Sequence, residues 1–171
     1  MKTLWTPWRM EHVTGRAPKV TGCLFEPPGD NSHDADHLLL FRDKLSVVLL
    51  NRFPYSNGHL LVAPRRHIAD LSALTTDEAA ALMILLGRCS DILDDCLNPD
   101  GCNIGLNLGS AAGAGIDDHL HFHVVPRWQE DHNFMTVVAD IRTIPEHIDK
   151  TFARLLPEFQ DVRKDIKPQP L

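Results

Sequence analysis

The chain has 171 residues, a hydrophobic share of 43% and a formal net charge of −6, values that fit one soluble domain with a sizeable core. So acidic a balance argues against a nucleic-acid binder, which shows a basic patch, and no apolar run is long enough to span a bilayer. Residues 1–5 lack a secretory apolar region and Cys23, Cys89, Cys96 and Cys102 form no paired framework, so the expected setting is the reducing cytoplasm, with neither nucleic acid nor membrane as partner.

In chain order, residues 1–22 read as an irregular arm. Its Trp5 and Trp8 are too costly to leave in water and are expected to cover a core edge or a subunit interface. A polar loop over 30–36 precedes a strand-sized apolar run over 38–41. Residues 46–51 and 58–63 read as two buried strands joined by Pro54-Tyr55-Ser56-Asn57-Gly58, and Asn-Gly is a strong hairpin signal. The short basic cluster Arg65-Arg66-His67 fits either local phosphate recognition or plain solvated surface. Thr75-Thr76-Asp77-Glu78 has capping-box form and opens a helix that carries Leu82, Leu85, Leu86, Cys89 and Leu93 at helical spacing and ends before Pro99.

A third strand is expected over 102–108, a small-residue loop over 109–115 and a further strand over 118–125. Pro145 followed by Ile148, Phe152, Leu155 and Phe159 predicts a C-terminal helix over about 145–159, and the tail 164–171 is expected to fray. The whole predicts an α+β fold: a single domain over 1–171 with its core at about 23–135, and an antiparallel sheet of about five strands flanked by a long central helix and a C-terminal helix.

The most informative residues are His119, His121 and His123, alternating with Leu120, Phe122 and Val124. In a strand, alternate side chains share a face, so three imidazoles would line one surface while the apolar residues pack behind. An unprotonated imidazole nitrogen can attack phosphorus and form a covalent intermediate, provided the other nitrogen is protonated and held by an acceptor. His121, flanked on both sides, is the expected nucleophile. His123 would serve a non-bridging oxygen or the leaving group, and His119 would orient its neighbours. Gly109, Gly113 and Gly115 allow close backbone approach, so the loop can offer amides to an anion. No Gly-Lys-Ser/Thr follows, which excludes a Walker-type site. A bare metal module built on the three histidines is the weakest reading, because strand positions two apart do not converge on one ion without distortion.

These residues resemble the histidine triad family of nucleotide hydrolases and transferases, whose signature His-φ-His-φ-His-φ-φ is matched by residues 119–125. Within the family the chain is similar to a bacterial branch resembling diadenosine tetraphosphate phosphorylases, in residues 4–10, 112–116, 125–128 and 133–135. The resemblance implies a nucleotidyl-histidine on His121, supported by His59, with Asn51 on ribose hydroxyls. It also implies that Asn107, Gly109, Gly113, Ala114, Gly115 and Trp128 meet phosphates or the distal part of the substrate. The chemistry needs no cofactor. The substrate class implied is a dinucleoside polyphosphate, with a homodimer as the working form. Phosphoramidate hydrolysis and nucleotide binding with weak turnover stay open as alternatives.

Two positions depart from the family pattern. Ala114-Gly115 offers no side-chain donor where many relatives carry a serine. Cys23-Leu24-Phe25-Glu26 replaces one cysteine of a Cys-x-x-Cys zinc pair. The implied structural zinc site is therefore Cys23, Glu26, His67 and His119, against the alternative that Cys23 is a small buried hydrophobe and Glu26 is solvated.

Overall fold

The computed structural model describes residues 22–27, 34–129 and 146–165. Trp5, Trp8, the 133–135 segment and Pro145 lie outside the described residues. Five strands form one antiparallel sheet in the order β1-β2-β3-β5-β4: β1 (Leu39–Arg42), β2 (Ser46–Leu50), β3 (Leu60–Pro64), β4 (Gly101–Leu106) and β5 (Phe122–Arg127). Helix α1 (Thr76–Leu97) runs between β3 and β4, and α2 (Ile148–Asp165) closes the described chain.

Period-two side chains divide the sheet into two faces. Val48, Leu50, Leu60, Val62 and Val124 pack with Leu82, Leu85, Leu86, Cys89 and Leu93 of α1 and with Phe152, Leu155, Phe159 and Val162 of α2. Both helices therefore cover this face. The opposite face carries Val47, Leu49, Leu61 and Ala63, covered by Phe25 and Ile116. Phe25 on this face packs against the rings of His119 and His121.

The β2–β3 hairpin forms as expected, with Leu50 opposite Leu60 and Ser46 opposite Pro64. Strand β3 starts two residues later than the alternation predicts because Gly58 adopts φ +77°. A Cβ at Gly58 would run into Leu97 and Leu93 of α1, so only glycine allows the turn to sit on that helix. Helix α2 runs past the expected end at 159, through Pro157 to Asp165. Val162 extends the Phe152–Leu155–Phe159 stripe by another turn, and that burial offsets the hydrogen bond that Pro157 cannot donate. Lys164 is thus helical rather than part of a frayed tail.

The larger correction concerns the histidine segment. Strand β5 begins at Phe122, so His119 and His121 precede it. Pairing of β3 with β5 ends at Val62↔Phe122, and Leu120 donates its amide to the Ile68 carbonyl, 2.6 Å away, instead of to a strand ladder. Alternation alone does not set the directions of the first two imidazoles. Specific hydrogen bonds do.

Helix α1 starts in the expected capping box: Thr75 Oγ1 accepts from the Glu78 amide and the Glu78 carboxylate accepts from the Thr75 amide. Arg66 adds a two-pronged contact to the same carboxylate, at 2.9 and 2.7 Å, so one member of the basic cluster is a structural anchor. Hydrogen bonds from Arg66, and then from the Thr75 amide, hold Glu78 down at about 2. Because an unfolded glutamate titrates near 4.3, this stabilisation is complete above that value and is lost as pH falls toward 2. Glu78→Gln is expected to cost about 1–3 kcal/mol at pH 7. In urea denaturation the gap from wild type should narrow as the pH is lowered through that window.

Candidate active site

The register sets the site. Asn51 donates its amide to the His59 carbonyl just beyond the Leu50↔Leu60 pair, and His123 lies opposite Leu61 of β3 and Gly105 of β4. Asn51, His59 and His123 therefore share the face away from the helices. A Cβ on Gly105 would meet nothing within 4 Å, so the space beside His123 on the β4 side is open to a ligand.

The hydrogen bonds fix the proton positions of four imidazoles. The Nδ1–H of His121 donates to the His119 carbonyl at 2.8 Å. A carbonyl only accepts, so in the neutral ring the lone pair is on Nε2. The Nε2–H of His119 donates to the Pro64 carbonyl at 2.9 Å, which leaves its Nδ1 as the free base. His59 Nδ1 accepts from the Tyr55 amide at 3.1 Å and faces the Asn51 side-chain nitrogen at 3.2 Å. The proton of His59 is therefore on Nε2, 3.0 Å from His123 Nδ1. His123 accepts there and carries its own proton on Nε2. A directed chain thus runs from Asn51 and Tyr55 through His59 to His123.

Packing holds these rings in place. Phe25 stacks on His121 with centroids 5.0 Å apart and also touches His119. Tyr55 stacks on His59, and the His121 and His123 rings meet edge-on at 5.0 Å. His59, His119 and His121 are all buried. Burial, with a smaller contribution from His121, pushes His123 down to about 4, so it is neutral at pH 7 and presents a neutral N–H. Burial likewise lowers His119. An anionic phosphate would act on His123 in the opposite sense.

Near the site lies a second cluster. Cys23, His67 and His119 each offer a ligand atom within 4.8 Å of the others. Cys23 Sγ is 3.1 Å from the unprotonated Nδ1 of His119. Glu26 and Asp118 approach His67 at 3.7 and 3.9 Å. Sulfur and imidazole donors at this separation suit zinc, and the Pro64 carbonyl supplies the outer hydrogen bond that orients a metal-binding histidine. Cys23, His67 and His119 fit the group; Glu26 lies beside His67 but outside the set of mutually close ligand atoms. Burial, helped by Glu26 and Asp118, raises the Cys23 thiol, and a cation would reverse that preference.

Other expected substrate residues fall differently. Asn107 is one residue past the end of β4, whose ladder with β5 ends at Leu106↔Phe122. Gly109, Gly113, Ala114 and Gly115 belong to an exposed or half-exposed loop around a short 3₁₀ turn, Ser110–Ala112. The amides of Ala112, Gly113 and Ala114 close onto the Gly109 and Ser110 carbonyls, which leaves fewer of them for an anion than glycine content suggests. Trp128 follows the end of β5, and its indole N–H donates to the Asn98 carbonyl. Sequence reasoning missed Phe25 and the Tyr55 amide. A stacking ring between two candidate ligands carries no motif, and a backbone donor leaves no trace in residue identity.

The family model described as the HIT domain matches residues 32–130. A protein of Mycobacterium tuberculosis named AP-4-A phosphorylase is 36% identical over 165 residues, 93% of this chain and 85% of the relative. A bis(5'-adenosyl)-triphosphatase of Dictyostelium discoideum is 32% identical over 93 residues, 54% of this chain and 62% of the relative. Among solved structures, a zinc-bound histidine triad family protein from Mycobacterium smegmatis superposes with TM-score 0.60 at 26% identity, covering 75% of this chain and 87% of the other.

Proposed function

This chain belongs to the HIT domain family, and we propose that it cleaves dinucleoside polyphosphates through a nucleotidyl-histidine on His121. The observation that carries this reading is the His121 tautomer: Nδ1–H is committed to the His119 carbonyl, so Nε2 keeps the lone pair that attacks phosphorus. A P–N bond forms as the P–O bond to the departing nucleoside polyphosphate breaks. Phosphate or water then attacks the same phosphorus and returns the electron pair to His121. His123, with its proton on Nε2 and its Nδ1 backed by His59, donates to the leaving oxygen or to a non-bridging oxygen. Asn51 faces the His59 ring and accepts the Phe53 amide, and by the family resemblance it also meets the ribose hydroxyls. The M. tuberculosis relative, a phosphorylase by name, supports phosphate as the acceptor. Incubation with diadenosine tetraphosphate, with and without inorganic phosphate, tests this. ADP plus ATP formed only with phosphate is the expected result. AMP plus ATP without phosphate would assign a hydrolase instead, and turnover of an adenosine phosphoramidate alone would overturn the substrate class.

Cys23, His67 and His119, with Glu26 as fourth ligand, are proposed to hold a structural zinc ion. When bound it supplies a cross-link between the 23–26 segment and the residues just before β5. Purified protein is expected to contain about one zinc per chain, and Cys23→Ala to lose it and melt at lower temperature. Metal analysis and a thermal melt decide this; full zinc content in Cys23→Ala would exclude the site.

The proposed partner is a second copy of the chain. Strand β4 ends the sheet, its outer ladder is unpaired among the described residues and Ile104 is 46% exposed; sedimentation velocity reads the state. No described helix is long and apolar enough to cross a membrane. All four cysteines are free, which supports a reducing, cytoplasmic setting, to be read by cell fractionation.

A further inference from the structure

One polar cluster takes no part in the chemistry described so far; it centres on the buried Thr151 of α2, beyond the 32–130 segment matched to the family, and reaches back to Asn57 within it. Thr151, in the first turn of α2, is 1% exposed. Its Oγ1 lies 2.9 Å from the Asn57 side-chain oxygen and 2.9 Å from Glu146 Oε2. A hydroxyl has one proton for these two partners, and the charged carboxylate is the stronger acceptor. The set is satisfied when Thr151 donates to Glu146 and accepts from Asn57, whose amide then turns its nitrogen inward, an orientation that only the network can assign. Glu146 in turn holds Arg154 at 2.9 Å. A chain of polar contacts thus links Arg154, Glu146, Thr151 and Asn57.

It ends in the turn that builds the relay. Asn57 precedes Gly58, which packs closely against Leu93 and Leu97 of α1. The same turn contributes the Asn51 side chain and the Tyr55 amide to His59 Nδ1, and the Ser56 carbonyl to the His59 amide. His59 Nε2 then meets His123. The turn is thus tied to α2 through the Thr151 hydroxyl and packed against α1 at Gly58.

We propose that Thr151 is a positioning residue for the His59–His123 relay, so that the C-terminal helix sets the orientation and tautomer of the group that serves the leaving oxygen. This rests on the reading of His59 and His123 as a proton-bearing pair. An ångström of misplacement in such a pair costs up to about a hundredfold in rate, and removing a buried hydrogen-bonding group leaves its partners unsatisfied.

The test compares wild type, Thr151→Val and Thr151→Ser on two substrates at a temperature well below each melting point. One is diadenosine tetraphosphate and the other is the p-nitrophenyl ester of AMP, whose acidic leaving group needs little proton assistance. Thr151→Val is expected to lose about tenfold in kcat on the first and less than twofold on the second, with the serine variant restored. A lowered melting point with equal kcat losses on both substrates, or with none, would overturn the proposal and leave Thr151 a packing residue. Should Thr151→Val fail to fold, Asn57→Ala in the half-buried turn carries the same comparison. His123→Asn is run alongside: if it shows no leaving-group dependence, the relay reading itself falls, whereas a dependence in His123→Asn that is absent from Thr151→Val rejects the brace alone.

Discussion

His121→Ala is expected to abolish turnover of diadenosine tetraphosphate, by about 10⁴-fold or more. Removing a nucleophile forfeits the covalent route altogether, and losses of this order are what remain when binding and electrostatics act without it. The fold should survive. His121 is buried with one ring hydrogen bond to the His119 carbonyl and one stacking partner in Phe25, so truncation leaves a small cavity and one unsatisfied carbonyl, about 1–3 kcal/mol. Steady-state kinetics with a thermal melt separate the two effects. A loss smaller than tenfold in a folded variant would place the nucleophile elsewhere.

His123→Asn is expected to lower kcat on the same substrate about 10²- to 10⁴-fold, the range for a positioned proton donor. The p-nitrophenyl ester of AMP should be nearly spared. The distinction matters here because Ala114 and Gly115 carry no side-chain donor and three loop amides are turned inward. In the proposed mechanism, assistance to the leaving group is therefore assigned to His123. Equal losses on both substrates would mean that His123 binds phosphate and does not serve the leaving oxygen.

The same variant should alter acid stability. An unfolded histidine titrates near 6.5, whereas burial and His121 hold His123 at about 4 in the folded chain. Between these values the folded state binds fewer protons than the unfolded one, so stability falls as pH drops from about 6.5 toward 4. Urea denaturation at pH 7 and pH 4.5 should show a shallower pH dependence for His123→Asn than for wild type.

What the sequence made legible was chiefly what depends on residue type and short spacing. The capping box at Thr75, the Asn57-Gly58 hairpin and the Leu82–Leu93 stripe each carry a local pattern of residue type and spacing, and each forms, the hairpin with β3 starting two residues late. The five-strand antiparallel sheet followed from those elements. The histidine segment was only half legible: alternation located the three imidazoles, but β5 starts at Phe122. His119 and His121 are instead aimed by the Pro64 carbonyl, the Ile68–Leu120 contact and Phe25. Those partners are backbone atoms or a remote ring, which no local pattern encodes. For the same reason the tautomers of His59 and His123 needed coordinates.

The covalent intermediate gives the most direct test of the central claim. Wild-type protein mixed with diadenosine tetraphosphate in the absence of phosphate and quenched in alkali, where a P–N bond survives, should yield an adenylylated chain by intact mass. Peptide mapping should place the adduct on His121, it should disappear on addition of inorganic phosphate, and His121→Ala should form none. Turnover proceeding with no adduct on a millisecond quench, or an adduct mapped to any other residue, would contradict the account.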